Sequence, residues 1–341
     1  MTRRNRLITL LVTVGAVLAL LVVFISSRGG SDFPGPGSGK AVVIVVRGDS
    51  LSGIANTLVE AGVVASDSAF LDAAKDNDKS QSIGPGRYSM LREMSGEGAV
   101  ALMLDPKSRA DSRLVLPEGL RLKQSVEDAS QATGLATQDF DDALAHSSDL
   151  GLPTWAKGQA EGMLFPASYD LAGDESAPDV LKMLFTRFNQ ESKALNLESG
   201  AAALKLDPYS IMIVASMVQA EGNPSDYSKI ARVVYNRLEA GTPLQLDTTV
   251  AYGLGITRVS LTADQLRTDT PYNTYLHAGL PPTPINSPGS AAIKAALSPA
   301  KGKWKYFVTV NLETGKTVFA RNYQKFLRAK AELQAYLKAH G

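Results

Sequence analysis

Residues 207–222 read DPYSIMIVASMVQAEG and predict a helix that is packed on most of its sides. Asp207 and Pro208 form a strong helix start, because aspartate caps free backbone N–H groups and proline fits the first turn. The following positions are apolar nearly all round the helix, which indicates burial in a core. Glu221 is the first charged residue after Asp207, and it ends the helix immediately before Gly222.

Glu221 is the strongest candidate for chemistry in the sequence. Its spacing places it on the same helix face as Val214, Met217 and Val218. Apolar neighbours and the negative end of the helix dipole both disfavour the ionised carboxylate, so both raise its pKa. Such a carboxyl group suits a general acid working near neutral pH. The spacing alone also fits a solvated glutamate beside a helix-ending glycine.

The segments after this helix predict a partner helix and a groove. Residues 226–240 have a helical apolar stripe and should pack against the first helix. Residues 244–253, LQLDTTVAYG, carry many side chains that hydrogen-bond sugars and are too polar for a core. Residues 271–289 form a proline-rich loop with tyrosine and asparagine, which suits the wall of a groove for a polymer. An ordinary structural loop is the alternative.

The N-terminus predicts a membrane anchor. Residues 7–25 are uncharged and would span roughly 28 Å as a helix, close to the hydrocarbon thickness of a bilayer. Three arginines precede this run and only Arg28 follows closely, so the positive-inside rule predicts a cytoplasmic tail at 1–6. A cleaved signal peptide is the other interpretation, although the apolar run is long for one and residues 25–27 make a poor cleavage site. We therefore expect a single-pass protein of the cell membrane whose C-terminal part is extracytoplasmic.

A glycine-, proline- and serine-rich linker at 26–40 and a small module at 41–110 should follow the anchor. The module is predicted as strand, helix, helix, strand. Residues 45–58, VVRGDSLSGIANTL, resemble the start of a LysM module, a small glycan-binding fold. A plain capped helix after a strand is the alternative for this stretch.

Composition narrows the possible partners and cofactors. Lysine and arginine total 35 against 34 aspartates and glutamates, so no net field favours nucleic acid as a partner. The chain has no cysteine and three histidines, so any metal site would rest on carboxylates. We expect neither a metal nor a cofactor.

Several spaced motifs resemble the YceG-like (MltG) family of membrane-anchored endolytic murein transglycosylases. They are ASMVQAEG, ARVVYNRL, LQLDTTVAYGLG, YNTYLHAGLPPTPINSPG and WKYFV, in the order of the family. The resemblance implies an α+β protein with a LysM-like βααβ module at 41–110 and a larger α+β catalytic domain at 111–341.

The resemblance also implies a reaction. The family cleaves the β-1,4 bond between N-acetylmuramic acid and N-acetylglucosamine, and the muramyl 6-hydroxyl attacks its own anomeric carbon to leave a 1,6-anhydro end. The family's catalytic glutamate falls on Glu221, while an earlier acidic position is Gln219 here. One carboxyl group is enough, because it first protonates the leaving oxygen and then accepts the hydroxyl proton. The residues expected to bind the sugar or stabilise the transition state are Gln245, Asp247, Tyr252, Asn273 and Tyr275.

The expected partners are peptidoglycan glycan strands, the membrane and, by resemblance only, penicillin-binding proteins and other cell-wall synthesis machinery. A tethered enzyme would cut nascent strands and so end their elongation. Two other functions stay open. Glu221 and Asp247 could form the carboxylate pair of a muramidase that adds water, or the chain could be a non-catalytic scaffold that binds the wall through its LysM-like part.

Overall fold

The computed structural model describes residues 32–46, 48–109, 112–257 and 261–340, and mixes helices with small sheets as the predicted α+β class requires. The predicted tail at 1–6 and the predicted transmembrane helix at 7–25 lie outside the described residues. Contacts between residues divide the chain into two compact units. The first unit comprises residues up to Ser112 together with Asp170–Glu175, and the second comprises Arg113–Tyr169 and the chain from Ser176 onward.

The first unit is built on an antiparallel pair of strands with helices between and after them. Strand β1 spans Pro36–Val45 and pairs with β2, Gly86–Met94; helices α1, α2 and α3 span Leu51–Glu60, Asp67–Lys75 and Gly96–Leu104. Short 3-10 turns lie at Ser80–Ser82 and Pro106–Ser108. The predicted strand, helix, helix, strand order is confirmed. The serines before α1 and α2 accept hydrogen bonds from the first turns, as N-caps do.

Strand β1 begins inside the segment predicted as a linker. Pro36 pairs with Met94 and Ser38 with Arg92, before an irregularity shifts the register ahead of Ala41. Pro36 and Ser38 therefore have partners in the ladder, although the side chains of this stretch offer little to bury. Residues 36–40 belong to the sheet, which corrects the expectation of a linker up to residue 40.

Strand β3 spans Ser112–Val115 and pairs with β4, Ser168–Leu171, and the second unit begins at Arg113. Helices α4 and α5 span Leu122–Thr133 and Thr137–Leu144, and 3-10 turns follow at Ser147–Leu150 and Thr154–Ala156. Residues 163–165 are buried.

The core of this unit is helical. Helices α6, α7, α8 and α9 span Ala177–Ala194, Leu197–Ala203, Pro208–Glu221 and Tyr227–Glu239. All residues from Ile211 to Val218 are buried, and the Asp207 carboxylate accepts a hydrogen bond from the Ser210 N–H. Both α9 and the later helix α11, Ser290–Leu297, pack against α8. The predictions of a buried α8 and a packed α9 are confirmed.

The chain ends with an antiparallel hairpin and a long helix. Strands β5 and β6 span Tyr306–Asn311 and Lys316–Ala320, and α12 spans Tyr323–His340. Among the described residues, no single helix has both the length and the hydropathy of a membrane span. Helices α7 and α8 have the required length and hydropathy only when they are taken together, and the angle between them is 95°.

The segment 244–253, predicted to be too polar for a core, is partly core. Residues Asp247–Gly253 form helix α10, and a 3-10 turn follows at Gln265–Arg267. Leu244, Leu246, Thr249 and Val250 are buried, and the Thr249 hydroxyl donates to the Leu246 carbonyl at 2.8 Å. The prediction was wrong because one apolar face and one satisfied hydroxyl are enough to bury a short helix whose other face is polar.

Candidate active site

A cavity of about 410 Å³ lies in the second unit, beside the end of α8 and the start of α10. The turn before α4, the residues that follow α10 and the proline-rich loop form the other walls. The lining residues are Glu118, Gly119, Leu120, Arg121, Gln124, Gln219, Ala220, Asp247, Thr248, Ala251, Ile256, Thr257, Ile285 and Asn286.

Glu221 is not itself a lining residue of this cavity, but it adjoins two residues that are. It follows Ala220 in sequence, and its Oε1 accepts a 2.5 Å hydrogen bond from the Thr248 hydroxyl. Burial raises the pKa of Glu221 from 4.5 to about 7, and the nearby Asp247 charge adds to the rise. The Thr248 side chain and backbone oppose it but do not cancel it. The structure therefore gives Glu221 a pKa suited to a proton donor near neutral pH.

Asp247 and Tyr275 are brought together beside Glu221. The Tyr275 hydroxyl donates to Asp247 Oδ1 at 2.6 Å. Burial raises the pKa of Tyr275, and the Asp247 and Glu221 charges raise it further, so the phenol stays protonated as a donor. Asp247 itself is exposed and lines the cavity. It can therefore meet a substrate while Tyr275 fixes one of its oxygens.

Two other predicted sugar-binding residues face protein partners. Gln245 is exposed, has a left-handed backbone with φ 53°, and accepts a 3.2 Å hydrogen bond from Arg237. The Tyr252 hydroxyl donates to Glu161 Oε2 at 2.8 Å, and the Arg121 guanidinium lies 5.2 Å from the Tyr252 ring centre. Neither residue lines the cavity.

Asn273 does not fit the predicted sugar contact. It is fully buried, and its amide donates to the carbonyls of Leu266 and Thr268 while its oxygen accepts from the Tyr275 N–H. These bonds use the side chain to hold the loop together. The proline-rich loop still forms part of the cavity wall, through Ile285 and Asn286.

The sequence profile of the YceG-like family matches residues 43–332. The chain belongs to the YceG-like family.

Named relatives and a solved structure agree with this membership. An endolytic murein transglycosylase of Bacillus subtilis (strain 168) is 28% identical over 302 residues, covering 84% of this chain and 82% of the relative. A protein of the same name from Streptococcus pneumoniae (strain D39) is 27% identical over 322 residues, and the match spans 57% of its length. A crystal structure of a YceG-like protein from Listeria monocytogenes superposes with a TM-score of 0.58 at 27% identity, covering 86% of this chain and 99% of that one.

Gln219 has a structural part in this YceG-like chain. Its Nε2 donates to the Tyr227 hydroxyl at 2.9 Å, and its oxygen accepts from the Gly289 N–H at 3.0 Å. A carboxylate at this position could accept from Gly289 but could not donate to Tyr227. Among the described residues, no group of three or more histidine, aspartate and glutamate side chains could hold a metal ion.

Glu161 is a second buried carboxyl group of this YceG-like chain and is not among the predicted site residues. This carboxyl group is 8% exposed, and its burial raises the pKa from 4.5 to about 7. One signal was available: QAEG occurs at both 159–162 and 219–222, so the candidate tetrapeptide appears twice. The copy at 159–162 precedes the apolar run 163–165, whereas the copy at 219–222 ends an apolar helix.

Proposed function

We propose that this protein is an endolytic peptidoglycan lytic transglycosylase in which Glu221 is the acid and base. The main support is the Glu221 carboxyl group beside the cavity, which has a pKa of about 7 and accepts a hydrogen bond from the Thr248 hydroxyl. Family membership and the names of the relatives, endolytic murein transglycosylases, support peptidoglycan as the substrate.

The reaction needs only one carboxyl group. Protonated Glu221 donates its proton to the oxygen that joins the muramyl C1 to the next sugar, and the C1–O bond breaks. The resulting carboxylate then takes the proton of the muramyl 6-hydroxyl as O6 bonds to C1. The products are a 1,6-anhydro-muramyl end and a free 4-hydroxyl on N-acetylglucosamine, and no water is consumed. The Asp247 carboxylate, which lines the cavity and is held by Tyr275, would stabilise positive charge at the anomeric carbon.

The test is digestion of purified peptidoglycan by the full chain, with mass spectrometry of the products. Wild type should release anhydro-muramyl ends from within strands, and Glu221→Gln should release none above background. Anhydro ends from the Glu221→Gln variant at the wild-type rate would remove Glu221 from the mechanism.

A muramidase is the second candidate function. The charge of the exposed Asp247 lies close enough to raise the pKa of Glu221. Both inverting and retaining glycoside hydrolases use such a pair of carboxyl groups. The product distinguishes the two reactions, because a muramidase leaves reducing ends and Asp247→Asn would abolish them. If the chain is a non-catalytic scaffold, neither wild type nor any variant should cleave glycan.

The proposal includes a place in the cell. The uncharged run at 7–25 and the arginines before it support a single-pass anchor with an extracytoplasmic enzyme, close to newly made glycan. There the enzyme would end strand elongation beside penicillin-binding proteins, and the LysM-like module would bind glycan. Replacing residues 1–28 by a cleaved signal sequence should lengthen strands in cells; unchanged strand lengths would refute tethered termination.

A further inference from the structure

Glu161 joins two walls of the cavity from behind. Its Oε1 accepts a 3.0 Å hydrogen bond from the N–H of Leu122, the first residue of α4, and its Oε2 accepts from the Tyr252 hydroxyl at 2.8 Å. Helix α10, which carries Tyr252, has Asp247 and Thr248 in its first turn. One buried carboxyl group thus connects the start of α4 to the helix that orients Glu221.

Arg121 extends this connection to the cavity surface. It precedes Leu122, lines the cavity, and donates from Nη2 to the Ile256 carbonyl at 2.5 Å. Its guanidinium also stacks over the Tyr252 ring. Moving the start of α4 relative to α10 would therefore move a cationic group on one wall against Asp247 and Thr248 on the other.

The backbone next to Glu161 is held equally firmly. Gly162 has φ +83°, and a Cβ there would lie 2.6 Å from Pro284 Cβ and 3.2 Å from the Asn286 carbonyl oxygen. The loop that carries Glu161 is thus pressed against the proline-rich loop, whose Ile285 and Asn286 line the cavity. The position of the carboxyl group is fixed by tertiary packing.

We propose that Glu161 is a positioning residue for the reaction, because it sets the spacing between the Arg121 wall and the Asp247–Thr248 wall of the cavity. The proposal rests on the proposed function. Glu161 has no contact with the cavity itself and acts through Leu122, Tyr252 and the elements that carry them. Its raised pKa keeps a share of the population protonated near neutral pH, in a site where a permanent charge would be costly.

The activity test compares Glu161→Ala with Glu161→Gln at temperatures well below the melting temperature of both. Loss of the bridge should lower kcat per folded molecule by roughly 10- to 100-fold in Glu161→Ala. Glu161→Gln should stay within about threefold of wild type, because an amide can accept from Leu122 N–H and donate to the Tyr252 oxygen. Equal kcat in Glu161→Ala and wild type, once the folded fraction is corrected, would overturn the proposal.

The pH profile separates positioning from proton transfer. In Glu161→Gln the alkaline fall in rate near pH 7 should remain, since Glu221 causes it. If that fall disappears in Glu161→Gln and persists in Glu221→Gln, Glu161 is the acid and the positioning proposal is wrong. Glu191→Gln is the matched control, because Glu191 accepts from the Ser290 hydroxyl at 2.6 Å in the same unit and does not line the cavity.

Amide hydrogen exchange tests the bridge without any enzymatic assay. Glu161→Ala should exchange the Leu122 N–H and residues 247–253 faster than wild type, while Glu191→Gln should leave both unchanged. Unaltered exchange in Glu161→Ala would overturn the bridge even if the enzyme is active. A wild-type chain that cleaves no glycan would instead refute the proposed function, and the exchange result would still decide whether Glu161 spaces the two walls.

Discussion

The tetrapeptide QAEG occurs twice in this chain, and the two copies have different surroundings. Burial raises the pKa of both glutamates to about 7. Glu221 ends a helix beside the cavity and accepts one side-chain hydrogen bond, from Thr248. Glu161 lies in a loop behind the cavity and accepts from both Tyr252 and Leu122. A similar pKa therefore does not imply a similar role; access to substrate and the number of fixed partners separate the two.

Replacing each glutamate by glutamine should give the largest difference between the copies. Glu221→Gln cannot donate a proton, so we expect its rate of anhydro-end formation to fall by at least ~10³-fold. Glu161→Gln should lose less than about threefold. Release of anhydro-muropeptides from purified glycan, measured under single-turnover conditions, gives both rates. Equal losses in the two variants would remove the distinction drawn here.

The glycines that follow the two glutamates should differ in tolerance to alanine. Gly162 has φ +83° and backbone and proline neighbours that cannot move, so Gly162→Ala should destabilise the fold by about 3 kcal/mol. Gly222 has an extended φ of −160°, and its nearest obstacle is the flexible end of Ile230. Gly222→Ala should cost about 1 kcal/mol. Urea unfolding measures both, and a larger cost at Gly222 would contradict the comparison.

The pH dependence of stability should reflect both carboxyl groups. Because each binds its proton more tightly in the folded chain than in the unfolded one, stability should fall as pH rises from about 4.5 to about 7. Replacing Glu161 by glutamine removes its share of this fall. The free energy of unfolding of the variant, relative to that of wild type, should therefore be about 3 kcal/mol higher at pH 8 than at pH 4.

Urea unfolding at pH 4, 6 and 8 checks this expectation for wild type, each single variant and the double variant. The double variant should have the flattest profile. A variant whose stability falls with rising pH as steeply as that of wild type would show that the carboxyl group it lacks has an ordinary pKa.

Removing the hydroxyl groups that donate to the two carboxylates should have the smallest effect on activity. Thr248→Val removes the hydroxyl that lowers the Glu221 pKa, so the alkaline limb of activity should move to higher pH, and kcat at pH 6 should fall about tenfold. Tyr252→Phe should leave the position of that limb unchanged. Thr314→Val, in the exposed turn between β5 and β6, is the control. An unmoved limb in Thr248→Val would mean that the hydroxyl does not lower the Glu221 pKa, and an unchanged kcat at pH 6 would mean that it does not orient the carboxyl group.

Local patterns in the sequence predicted much of the fold. Helix α8 begins where Asp207 and Pro208 indicate and ends at Glu221, and the strand, helix, helix, strand order of the first unit follows its caps and glycines. Helix α10 was missed because its buried face is short and includes Thr249, whose hydroxyl is satisfied within the same turn. Polarity of a side chain does not prevent burial when a hydrogen bond is available.

The candidate site was predicted less completely. Asp247 lines the cavity and Tyr275 holds it, as residues of one site should, whereas Asn273 is used up inside its own loop. No spacing rule could distinguish these cases. Whether an amide faces a cavity or a neighbouring carbonyl depends on how the loop folds back on itself.

The sequence by itself determined the family, the buried helix α8 and the placement of a carboxyl group at its end, because caps, apolar spacing and glycine act over a few residues. Only the tertiary structure decided that Thr248 orients Glu221 and that Glu161 joins Tyr252 to Leu122. These partners are far apart along the chain, and their meeting depends on the packing of whole helices. The identical tetrapeptides thus acquired different surroundings, because local sequence sets the chemical group and distant residues set its environment.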